Sequence, residues 1–113
     1  MTGTLADREV VTQDGTVLVL GWADLGCETP EAMLESHAVN IVCHVVERLE
    51  DTDRGADLEG VLWLYSRHPD IARHATALQL IDHAAALQRA DAGDTTAVLL
   101  RSAARALLEL ARR

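Results

Sequence analysis

The sequence predicts a mostly α-helical fold, an N-terminal β-hairpin followed by a four-helix bundle-like domain, and three observations carry that expectation. Two β-branched runs flank Asp14-Gly15 near the N-terminus. Four later segments space their apolar residues as helices do, with short turn signals between them. The hydrophobic fraction of 49% is mainly Ala, Leu and Val with no Phe, which suits an aliphatic core whose helices approach through small faces. At 113 residues the chain reads as one domain, 1–113, long enough to bury a core without staples.

The hairpin is expected over about residues 9–22. Asp14-Gly15 supplies the positive φ angles of a type I′ turn, and the flanking runs from Glu9 and to Trp22 are strand-like. Val17 to Trp22 is apolar almost throughout, so both faces of that strand ask for cover. A lone two-stranded hairpin is marginal in water, and its edges carry unpaired backbone groups. The simplest partner is a second copy across a two-fold axis. The sequence therefore anticipates a homodimer built by sheet pairing, with Val11, Val17, Val19 and Trp22 as interface candidates.

Thr29-Pro30-Glu31 opens the first helix, with a hydroxyl N-cap, Pro at the first helical position and an acid in the first turn. It should run over 30–49, burying Leu34, Ala38, Ile41, Val42, Val45 and Leu49. A solvated acidic turn follows, and a second helix over 57–67, capped by Asp57, carries Leu58, Val61, Leu62 and Tyr65, widened by Trp63 and Leu64. His68-Pro69-Asp70 breaks it. The third helix, 70–91, has two stripes, Ile71, Ala75, Leu78, Ile81 and Ala85 beside Leu80, Ala84 and Leu87, which predicts a central position. Gly93-Asp94-Thr95 introduces the last helix, 95–112, with Leu100, Ala104, Leu107 and Ala111 inward, while Arg101, Arg105, Arg112 and Arg113 complement its C-terminal dipole.

Composition removes whole function classes. All ten basic residues are Arg. Without Lys there is no phosphate-binding GK[ST] loop and no Schiff-base lysine. A formal charge of -8 opposes the counterion-release attraction behind nucleic-acid binding and suits a basic protein partner instead. The apolar runs are too short to span a bilayer and the N-terminus lacks the pattern of a secretion signal, so no membrane association and a cytoplasmic location are expected. Cys27 and Cys43 then read as reduced, buried thiols.

Five histidines invite a metal or ligand reading. His37 and His44 lie two turns apart, about 10.5 Å along a helix, too far to share one metal unaided. With Asn40, His83 and Trp63 they form the candidate ligand-binding set, His37, Asn40, His44, Trp63 and His83, around a pocket near Trp63 and Tyr65. Asp51-Thr52-Asp53 opens like a calcium-binding loop, but Gly55, Ala56 and Leu62 stand where an oxygen ligand, the obligatory Gly and the bidentate acid belong. Asp24-Leu25-Gly26-Cys27-Glu28 before Thr29 resembles the segment of acyl carrier proteins whose serine bears phosphopantetheine. The resemblance departs at Thr29, which replaces that serine, and in the hairpin upstream. Ser36, Ser66 and Ser102 all fall within helices, away from any nucleophile elbow. No catalytic residue, metal site or cofactor is assigned.

The reading that results is a small cytosolic homodimeric helical module for protein interaction or regulation, without catalysis. The alternative is a small-molecule- or metal-binding helical protein, or an enzyme, with a His-flanked pocket. A helix-turn-helix DNA binder formed by the last two helices ranks third.

Overall fold

The computed structural model describes residues 9–12, 15–20 and 29–113. Trp22, Cys27, Asp14 and the segment from Asp24 to Glu28 lie outside the described residues. Two antiparallel strands, β1 (Glu9–Val11) and β2 (Val17–Val19), precede four helices, α1 (Pro30–Arg48), α2 (Asp53–Arg67), α3 (Pro69–Ala90) and α4 (Thr95–Arg112). This is the predicted hairpin plus four-helix arrangement, with bundle-like packing.

The hairpin differs from expectation in its turn and in the length of its ladder. Val11 pairs with Val17, and beyond them the Thr12 N–H donates to the Thr16 carbonyl at 2.8 Å, so three residues, 13–15, lie inside the last bonded pair rather than the two of a type I′ turn. Gly15 donates to the Thr12 carbonyl at 3.0 Å, and Gly15 alone among the described loop residues has positive φ, 86°. Those are the marks of a three-residue loop closed by a left-handed glycine. The alternation is also cleaner than the apolar run in β2 suggested. Val10 and Leu18 face the helices, and Val11, Val17 and Val19 face outward.

Thr29 caps α1 as predicted, accepting the Ala32 N–H at 3.1 Å. The cap of α2 is Thr52 rather than Asp57, so the helix begins four residues earlier than the sequence suggested. The Thr52 hydroxyl accepts from Gly55 N at 3.0 Å and donates to the Leu49 carbonyl at 2.6 Å. That donation folds the α1–α2 joint back on itself, helped by Asp51 in the left-handed region at φ 67°. Asp94 caps α4, accepting the Thr96 N–H at 2.7 Å.

The central helix is α4, not α3. Each helix packs against two others, but α4 buries nine of its 18 residues where α3 buries four of its 22. One stripe of α3 is therefore sufficient: Ala77, Leu80 and Ala84 are buried, while Ile71 and Leu78, predicted inward, are exposed. In α4 small residues line the approach, with Ala97, Ala103, Ala104 and Ala106 buried beside Leu100 and Leu107, although Ala111 turns outward. The core joins Leu20 of the hairpin end to Leu34, Ile41 and Val45 of α1, Leu58 of α2 and Leu80 of α3. Arg113 fastens the far end of α4 to the start of α1, 3.3 Å from Glu31 and 3.1 Å from the buried Glu109.

Candidate functional site

Two surfaces stand out, and both follow from where the hairpin sits on the helices. The first is its outer face. Strand alternation sends Val10 and Leu18 inward, so Val11, Val17 and Val19 are left pointing away from the chain, 60%, 52% and 56% exposed. Glu9 is the remaining residue of that face, opposite Val19. These are three of the four dimer-interface candidates, and the structure gathers them on one side. The fourth, Trp22, lies outside the described residues.

The second surface is a cleft of about 460 Å³ between the hairpin and α4. Arg101, Arg105 and Arg112 open onto it from one α4 face, with Leu108 on the turn between the last two. Leu18, Ile81 and Leu108 give it apolar walls, and Ser102 and Thr12 add hydroxyl groups. The Arg101 guanidinium donates to the Gln88 side-chain oxygen. Among the described residues none of these three arginines forms an ion pair with a carboxylate. The sequence had assigned them to the helix dipole. The spacing 101, 105, 108, 112 was the available signal of a shared face, but nothing in the sequence showed that the hairpin would wall that face in.

Behind the cleft, Ser102 Oγ is hydrogen-bonded to His37 Nε2 at 2.9 Å. His37 is a buried residue, and desolvation pushes its imidazole down to about 4. Its Nδ1 has no partner among the described residues. The tautomer that leaves Nδ1 bare has Nε2–H donating to Ser102, and it avoids orphaning a buried N–H. A serine and a histidine at this distance are the first two parts of a nucleophilic pair. The group that would orient the base is missing from Nδ1, and so weak a base does not activate a hydroxyl at neutral pH. The pair ties α1 to α4.

The other members of the predicted histidine set take separate partners. Asn40 is exposed on α1, its Nδ2 donating to Ser36 Oγ at 3.2 Å, and His44 is half-buried. His83 Nδ1 lies 2.9 Å from an Arg54 guanidinium nitrogen, which donates to it. Burial first, and the Arg54 charge second, lower the His83 pKa against the opposing pull of Asp57 and Asp82. Trp63 is 57% exposed, with the Arg67 guanidinium 4.9 Å above its ring. Beside Tyr65, where a pocket was expected, there is an apolar void of about 10 Å³ lined by Val42, Leu62 and Leu107, room for about one water. Cys43 is half-buried, and desolvation followed by the Glu47 charge raises its thiol pKa, which disfavours the thiolate.

Among the described residues no group of three or more His, Cys, Asp or Glu side chains is placed to hold a metal ion, and no helix is long and apolar enough to cross a membrane. No family model, no curated protein and no solved structure matches the chain.

Proposed function

We propose that this protein is a homodimeric helical interaction module whose hairpin is the dimerisation element. The observation that carries this reading is the outer face of Val11, Val17 and Val19, three adjacent β-branched side chains left more than half exposed on a two-stranded sheet. Exposed valines scattered singly need no explanation, but a contiguous apolar sheet face marks a contact surface. A second copy is the natural occupant, because the face is uncharged apart from Glu9 and so escapes the repulsion between two chains of charge -8. Face-to-face packing serves better than the edge pairing that the sequence suggested. Three-residue strands offer few ladder bonds, and edge pairing would leave the valines in water. The valines alone cover less than the roughly 1,200 Å² of a specific interface, so flanking surface joins them. The remaining acidic surface is then free for a basic protein partner.

The third reading, a helix-turn-helix, has less support. A recognition helix must enter the major groove with its N-terminal residues, whereas Thr96 is buried at the start of α4 and the hairpin walls in the face that carries Arg101 and Arg105.

Light scattering after size exclusion tests the proposal on the wild type and on a Val17→Lys/Val19→Lys double variant. Both positions are exposed, so the substitutions leave the fold intact, as circular dichroism would verify. A dimeric wild type and a monomeric, folded variant are expected. A wild type that stays monomeric at high concentration, or a variant that remains dimeric, overturns the reading.

A further inference from the structure

We propose that the cleft between the hairpin and α4 binds a small organic anion, a carboxylate or phosphate head carried on a compact aliphatic body. The first support is charge. The chain has 18 acidic residues against 10 basic ones, so an arginine meets a carboxylate easily, as Arg73 and Arg113 do. Arg101, Arg105 and Arg112 instead share one cleft and, among the described residues, pair with no acid.

Compensation of the helix dipole does not account for them. Its effect is confined to the last turn, which includes Arg112 but not Arg101 or Arg105. Among the described residues the one carboxylate at the cleft is Glu109, which is buried and has Arg113 Nε at 3.1 Å to offset its charge. The cleft is therefore positive inside an acidic protein, a setting that concentrates anions locally.

The second support is shape and lining. At about 460 Å³ the space is within the range of small-molecule sites. Leu18 and Ile81 form walls that a hydrated inorganic ion would leave unused. Arginine forks recognise the planar carboxylate or tetrahedral phosphate at one end of a ligand, and the apolar walls take the rest of it. Ser102, with His37 Nε2–H donating to its oxygen, keeps its own O–H to donate toward the head group. The site lies within one chain and does not depend on the dimer.

Isothermal titration with hexyl phosphate, hexanoate, hexylamine and inorganic phosphate tests the proposal on wild type, Arg105→Ala, Arg112→Ala and, as control, Arg89→Ala, an exposed arginine outside the cleft. Hexyl phosphate or hexanoate should bind the wild type, and whichever binds more tightly identifies the head group. Each cleft variant should weaken that binding roughly tenfold or more, and Arg89→Ala should not. The proposal is overturned if neither anionic probe binds, if hexylamine binds equally well, if inorganic phosphate matches hexyl phosphate, or if Arg89→Ala weakens binding as much as the cleft variants. Repeating the titration on Val17→Lys/Val19→Lys separates this outcome from that of the dimer proposal.

Discussion

The His37 ring meets the Ser102 hydroxyl at 2.9 Å, a hydrogen bond that joins α1 to α4 across 65 residues of chain. Because His37 is 2% exposed, the imidazole is held neutral, its pKa pushed down to about 4 from 6.5. The unfolded chain therefore takes up this proton first as pH falls. The contribution is fully present above pH 6.5 and is lost as pH falls from there through about 4, up to about 3 kcal/mol in all. His83, also lowered, acts in the same direction. Urea unfolding across that range should show a steep loss of stability in the wild type and a shallower one in His37→Gln. Identical slopes would mean that His37 is not buried as a neutral ring.

That hydrogen bond also marks the limit of what the sequence disclosed. Periodicity placed the four helices, because each has an apolar stripe of helical spacing, and the starts at Thr29-Pro30 and Asp94 were legible as well. Periodicity does not say which helix is in the middle. Both stripes of α3 looked equally fit for burial, and only the packing of α4 between α1 and α3 decided against Ile71 and Leu78. The start of α2 was missed for a local reason. Thr52 caps by bonding forward to Gly55 and back to Leu49, and the backward bond depends on a left-handed Asp51 that composition does not announce. The valine face was legible from strand alternation, whereas the arginine cleft needs two elements more than eighty residues apart to meet, as Leu18 and Arg101 do.

Gly55 and Gly60 sit in the same helix and should respond to alanine in opposite senses. Alanine in a helix interior normally gains about 1 kcal/mol over glycine. At Gly60 a Cβ would meet nothing within 4 Å, so Gly60→Ala should stabilise by about that amount. At Gly55 the same atom would collide with the backbone carbonyl of Leu49, which the Thr52 cap holds in place. Relief would require moving the α1–α2 joint, and Gly55→Ala should destabilise by about 1–3 kcal/mol. Thermal melting of the two variants decides the matter, and a stabilising Gly55→Ala would show that the joint is looser than the close approach implies.

Tyr65 offers a direct spectroscopic check on the packing of α2 against α1, since it is the only tyrosine in the chain. Its hydroxyl donates to Glu35 Oε2 at 2.9 Å, and the same oxygen lies 3.4 Å from Arg73 Nη2. Burial raises the phenol first, the Glu35 acceptor and its charge raise it further, and Arg73 opposes them, leaving it at about 12 against an ordinary 10.0. With the folded value above the unfolded one, the stabilisation is fully present below pH 10 and is lost as pH rises through about 12, roughly 2–3 kcal/mol in total. The ultraviolet absorbance of phenolate should therefore appear in the folded protein well above pH 10, or together with alkaline unfolding. Glu35→Gln keeps an acceptor oxygen and removes the charge, so the midpoint should drop but stay above the ordinary value, because burial is the larger cause. A wild-type midpoint near pH 10 with the fold still intact would place the Tyr65 ring in water and break the α1–α2 contact described above.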